Sequence, residues 1–195
     1  DSGKGKNKEW KGHGSTSGLV GSYKSCPHDG TTPVCDVGRG IVLSGARGGD
    51  LDYSAADIVV DCAGLTKRDY DDGAKRIVSG TQWLVDAVAP SITHPDTLFI
   101  EWKDMGIPKV GVLFWLALMK SIPDNSRVAV CCVGGHGRTG TALACMVAAS
   151  SKLNGELAAD AVDIIRFVHK HHCENAIETK GQRDYIARIV AGVNG

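Results

Sequence analysis

Hydrophobic positions divide the chain into short apolar runs and longer periodic stretches. Residues 1–18 (DSGKGKNKEWKGHGSTSG) are Gly, Lys and Ser around a lone Trp10, with nothing to bury, and predict a mobile tail. Residues 19–39 hold Pro27, Gly30 and Pro33 and read as irregular. Ile41-Val42-Leu43 predicts a strand, Ala46 to Asp52 a loop, and Ile58-Val59-Val60 with Cys62 a buried strand. Residues 73–89 predict a helix on Ile77, Trp83, Leu84 and Val88, and Leu98-Phe99-Ile100 a third strand. Residues 109–121 are apolar almost all round and predict a buried helix. Val128 to Cys132 is a fourth strand, with a helix starting just past Gly137. Leu157, Ala161, Ile164, Ile165 and Val168 form one helical face, with Asp160, Asp163, Arg166 and Lys170 opposite. Ile186, Ile189, Val190 and Val193 stripe a last helix, and Thr179 with Gln182 fits a capping box at its start.

Buried strands alternating with helices predict an α/β domain, a central mostly parallel sheet covered by helices. With 195 residues, the chain has room for one such domain over 19–195 behind the tail. Lys plus Arg and Asp plus Glu are both 22, and this zero net charge speaks against a generic nucleic-acid binder. Aromatics, at 6%, are too sparse for a base-stacking platform. No apolar run approaches the roughly 18 residues of a membrane span, and no signal-peptide pattern is visible. The first residue is Asp1, which leaves a processed start open. Seven cysteines is an odd number, and Cys62, Cys131, Cys132 and Cys145 lie in apolar runs, so a reducing, cytoplasmic setting is expected.

The chemistry concentrates in Val128 to Ala144 (VAVCCVGGHGRTGTALA). A strand ends at Cys132, five residues follow (Val133, Gly134, Gly135, His136, Gly137), and then come Arg138, Thr139 and Gly140. Three glycines let backbone N–H groups converge into an anion nest, and the following helix adds its positive end. Arg138 can grip two oxygens with its fork. All of these favour a thiolate at Cys132, and Thr139 can donate a hydrogen bond to its sulfur.

This stretch resembles the signature loop of the cysteine-dependent protein tyrosine phosphatase superfamily, His-Cys-x5-Arg-Ser/Thr-Gly. Trp102-Lys103-Asp104-Met105-Gly106-Ile107-Pro108 resembles the mobile acid loop of that family, Trp-Pro-Asp-x-Gly-x-Pro, with Lys103 for the first proline. Ala176 to Tyr185 (AIETKGQRDY) resembles its late glutamine loop. The resemblance covers about residues 40–193 and implies a tyrosine-phosphatase-like fold of the dual-specificity-like branch. It implies Cys132 as nucleophile, Arg138 and the amides of 133–138 as phosphate ligands, and Asp104 as general acid and then base. It calls for no metal and no cofactor. The implied substrate is a phosphorylated protein at Tyr, Ser or Thr, or a small phosphorylated compound. The alternatives are a phosphoinositide, inositol phosphate or RNA 5′ phosphate, or a phosphate-binding pseudophosphatase. A sulfur-transfer enzyme of rhodanese type would not need the Trp102–Pro108 segment.

Several positions depart from the family pattern or allow two readings. Cys131 replaces the loop-ordering His; it is a small buried residue or half of a strained vicinal disulfide. Glu178 stands where tyrosine-specific members place Gln. Gln182 either meets the reaction or serves as a helix cap. His136 could add charge toward a polyanionic substrate. The resemblance makes Cys62 a possible redox partner of Cys132, against an ordinary core cysteine. Cys26, His28 and Cys35, or the run His169 to Cys173, could hold a metal; basic residues ending a helix also suit its dipole. Arg47, Lys67 and Arg68 are candidate rim residues.

Overall fold

A computed structural model describes residues 32–63, 75–78, 96–100 and 102–195. The expected tail, Cys26, His28, Lys67 and Arg68 lie outside the described residues. Among the described residues six strands, β1 (Thr32–Asp36), β2 (Val42–Arg47), β3 (Ile58–Asp61), β4 (Lys75–Val78), β5 (Asp96–Ile100) and β6 (Arg127–Cys132), form one sheet in the order β1-β2-β6-β3-β5-β4. Among these described strands β1 runs antiparallel to β2, and the other neighbours are parallel. Helices α1 (Val112–Ser121), α2 (Gly137–Leu153), α3 (Ala161–His171) and α4 (Lys180–Asn194) follow. The α/β expectation and its mostly parallel sheet hold.

Parallel strands covered on both faces read as unbroken apolar runs. β3 is buried throughout, and β6 is buried after its first residue. β6 lies between β2 and β3, and their carboxyl ends meet: Arg47 pairs with Cys132 and Asp61 with Cys131. Crevices beside such ends are where open α/β sheets bind ligands. Residues alternate faces along β6, so Cys131 packs with Ala46, Ala56, Val59 and Ala129 in a small second cluster. Cys132 joins the main core with α2. α2 is buried along most of its length, from Gly137 to Ser150.

Several expectations are corrected. Residues 75–78 form β4 on parallel β5, not part of a helix; the β-branched pair Ile77-Val78 suits a strand, and pairing with β5 overrides the 3.6-residue pattern. The rest of 73–89 lies outside the described residues. Residues 32–36, expected as irregular, form an edge strand with a bulge between Pro33 and Cys35, the one setting in which a sheet tolerates proline. The expected loop from Ala46 starts later, because β2 runs to Arg47. Leu157 is 79% exposed and precedes α3, whose N-cap is Asp160, accepting from the Asp163 N–H. α1 is not apolar-buried all round either: Phe114, Trp115, Leu118 and Met119 face inward while Leu113 is exposed.

Candidate active site

Cys132 ends β6 and is 3% exposed, at the floor of a loop that runs into the first turn of α2. Gly135 turns this loop with φ 73°, a conformation open to glycine and strained for side-chain-bearing residues. The His136 carbonyl accepts from Gly140 N–H at 2.8 Å, which starts the helix, and the Gly137 to Gly140 turn is buried.

Arg138 reaches back across the loop, buried at 6% exposure. Its Nη1 donates to the Trp102 carbonyl at 3.0 Å and to the Cys62 carbonyl at 3.4 Å. Its Nη2 lies 3.5 Å from Asp104 Oδ1. Arg138 Nε is buried and has no hydrogen-bond partner among the described residues. A buried, unpaired charged donor is costly unless something arrives to fill it. Thr139 Oγ1 is likewise buried without a partner, so the expected hydrogen bond to the Cys132 sulfur is not formed in this arrangement.

Asp104 sits in a tight turn in which Gly106 N–H donates to the Lys103 carbonyl at 3.0 Å and Met105 takes φ 61°. Trp102 Nε1 donates to the Gly106 carbonyl at 2.8 Å and pins the turn from below. Gln182 Nε2 donates to that same carbonyl at 3.2 Å, and Thr179 Oγ1 to the Met105 carbonyl at 3.4 Å. The start of α4 therefore holds the Asp104 turn over the loop. The Asp104 carboxylate is mostly exposed beyond its contact with Arg138.

Glu178 Oε1 accepts from the Gly137 N–H at 2.9 Å. Burial pushes its carboxyl above the ordinary glutamate range. The Gly137 bond pulls it down, nearby Asp104 pushes it up, and Arg138 opposes the rise. Burial, and then the neighbouring Cys132 and Cys131, push the Cys62 thiol well up.

Residues 101–186 match the family described as "PTP-SAK: Swiss Army Knife protein, DSP-PTPase phosphatase domain". The matched stretch, which carries Asp104 and the Cys132 to Arg138 loop, is similar to the phosphatase domain of that description. The uncharacterized protein MJ0215 of Methanocaldococcus jannaschii is 34% identical over 92 residues, 46% of this chain and 52% of its own. The chain spans about half the length of the curated relatives it matches. The protein tyrosine phosphatase TcPTP1 of Trypanosoma cruzi superposes with a TM-score of 0.57 at 14% identity, over 83% of this chain and 71% of that one. Tk-PTP in its active form gives 0.50 at 16% identity, over 82% and 97%. These two structures share the fold of this chain.

The fold brings Cys132, residues 133–138, Thr139, Asp104, Glu178 and Gln182 around one loop, with the Cys62 carbonyl on Arg138. Gln182 is fully buried, and it forms the capping box with Thr179 while its amide also holds the Asp104 turn. Cys131 and Cys132 are both free thiols on opposite faces of β6. Arg47 stands beside Cys132 in the sheet, with Asp50 at 4.0 Å. Cys35 is a half-buried thiol pushed up to about 12 by burial and Asp36. The run from His169 to Cys173 disperses: His169 bonds the Ala176 carbonyl, His171 stacks on Phe167, and the Cys173 sulfur accepts from Asn175 N–H. Among the described residues no three His, Cys, Asp or Glu side chains gather as metal ligands. No helix among them is long and apolar enough to cross a membrane.

Sequence reading missed two contacts on the loop. One is the Glu178 carboxylate on the Gly137 amide. The other is His172, whose Nε2 lies 2.6 Å from the Gly135 carbonyl. Glu178 stood in the late loop as a departure from pattern, which was a signal; His172 was hidden within a run that suits a helix end.

Proposed function

We propose that this domain hydrolyses phosphate monoesters through a phosphocysteine at Cys132. The observation that carries the proposal is the Asp104–Arg138 contact, which sets an exposed carboxyl over a loop whose guanidinium keeps a buried free N–H. In the first step Cys132 Sγ attacks phosphorus as the P–O bond to the leaving group breaks. Asp104 gives its proton to the departing oxygen, while Arg138 and the loop amides of residues 133–138 other than Gly137, whose N–H Glu178 holds, grip the three remaining oxygens. In the second step Asp104 takes a proton from water, the water oxygen attacks phosphorus, and the S–P bond breaks to release phosphate and the thiolate. Thr139 donates to the returning sulfur, and Gln182 holds the Asp104 turn in place.

The substrate reading is a phosphorylated protein at Tyr, Ser or Thr. PTPN18, solved in complex with phosphopeptides of HER2 and 15% identical to this chain, supports that class only by shared fold. The zero net charge of the chain disfavours a polyanionic lipid or RNA end. The test is a panel of aryl phosphate, phosphotyrosine and phosphothreonine peptides, a soluble phosphoinositide and triphosphorylated RNA, with Cys132→Ser as the blank. Peptide turnover that the blank lacks is expected. Asp104→Asn should cost about 10²–10⁴-fold, more on poor leaving groups than on good ones. Lipid or RNA turnover with poor peptide activity moves the substrate class, and silence on every substrate returns the domain to a phosphate binder. Cys62 is proposed as the redox partner: peroxide oxidises Cys132 to a sulfenic acid, and the Cys62 thiol displaces water from it to form a disulfide. Mass spectra showing only overoxidised Cys132 would remove that role.

A further inference from the structure

The imidazole of His172 is 3% exposed, at the C-cap of α3, where its own N–H closes the helix onto the Val168 carbonyl. Its ring lies against β2 at Gly45, where even a single added methyl group would collide with ring atoms Cε1 and Nδ1. From there Nε2 reaches the Gly135 carbonyl at 2.6 Å. An apolar side chain would fill the same space and leave that buried carbonyl without this donor.

The consequence for the loop follows from peptide geometry. In a trans peptide the C=O of one residue and the N–H of the next point in opposite directions. The Gly135 carbonyl accepts from His172, so the N–H of His136 in the same peptide plane is turned away from that ring. We propose that His172 is a positioning residue for phosphate: by gripping the Gly135 carbonyl it aims the His136 amide into the anion nest, with Gly45 as the space that lets the ring do so. The inference rests on the phosphatase reading of the same loop. The residue before the nucleophile, Cys131, faces the opposite side of the sheet, so β6 itself supplies no such anchor.

The test compares wild type with His172→Leu, His172→Gln and Gly45→Ala. Orthophosphate affinity is measured by calorimetry, KM and kcat on an aryl phosphate are separated, and thermal melting sets a temperature at which every variant is folded. His172→Leu should weaken orthophosphate about tenfold, the weight of one aimed hydrogen bond, and raise KM more than it lowers kcat. His172→Gln keeps a donor and should recover part of the loss. Gly45→Ala, remote from the loop, should reproduce the loss by displacing the ring. It also serves if His172→Leu does not fold. Unchanged phosphate affinity in folded His172→Leu or Gly45→Ala overturns the role, as does a Gln variant no better than Leu. A wild type that binds no orthophosphate overturns the phosphatase reading, and this positioning role falls with it.

Discussion

A carboxylate on an amide of the proposed phosphate nest would be an unusual neighbour for the dianionic substrate proposed above, and Glu178 provides one. The unfolded chain releases this proton near the ordinary value of 4.5, whereas burial and Asp104 make the folded chain hold it to higher pH, against the Gly137 amide and Arg138. Between those two values the folded state binds more protons, so stability falls as pH rises through the window and is unaffected below it. Glu178→Gln keeps an acceptor for the Gly137 N–H without the charge. Urea midpoints should therefore decline with pH above about 4.5 in wild type and lie flat in the variant; parallel curves would remove the assignment. The same change should lower KM for an aryl phosphate on the alkaline side of the window, where Glu178 is charged, and leave it unchanged on the acid side.

At the scale of elements, the start of α4 has two duties. Thr179 Oγ1 accepts from the Gln182 N–H at 3.1 Å as a cap and touches the Met105 carbonyl of the Asp104 turn. Asp160 caps α3 in the same way, accepting from the Asp163 N–H at 2.9 Å, with that helix rather than the Asp104 turn as its neighbour. Thr179→Ala and Asp160→Ala should each cost about 0.5–2 kcal/mol in denaturant unfolding. Only Thr179→Ala should also lower kcat, by roughly two- to tenfold, the weight of one lost hydrogen bond. Equal kcat in the two variants would show that the cap does not hold the turn. These elements also show what was legible in the chain. Local signals placed β3, β6, α2 and α4, because an apolar run or a capping box is written in adjacent residues. β4 and β1 were missed because their pairing partners, β5 and β2, decide them. Leu157 fits the periodicity of α3, but the cap at Asp160 ends the helix before reaching it. The Cys132 to Arg138 loop and the Asp104 turn were readable as linear motifs. The grips of His172 and Glu178 were not, because each joins residues about 40 apart and depends on where a helix end docks.

At the scale of the whole molecule, the helical layer and the segment that follows the Asp104 turn are tied through one buried phenol. Trp115 Nε1 of α1 donates to the Tyr185 hydroxyl of α4 at 2.7 Å, and that hydroxyl donates to the Val110 carbonyl at 2.7 Å. Trp115 is fully buried and Tyr185 nearly so, and burial holds the phenol in its neutral, donating form well above its ordinary range. Tyr185→Phe preserves the ring and its packing but strands one donor and one acceptor where water has little access. Each stranded group costs about 1–3 kcal/mol, so a loss of roughly 2–6 kcal/mol is expected. For a domain of this size each kcal/mol lowers Tm by about 2–4 °C. The denaturant midpoint should fall with an unchanged m-value, since the core volume is kept and the same surface is exposed on unfolding. Val110 lies two residues past Pro108, so the variant should also loosen the segment that carries Asp104 and lower kcat on poor leaving groups before it affects good ones. A stability loss below about 0.5 kcal/mol would mean that water replaces the hydroxyl, and the phenol would then be packing rather than a tie between the layers.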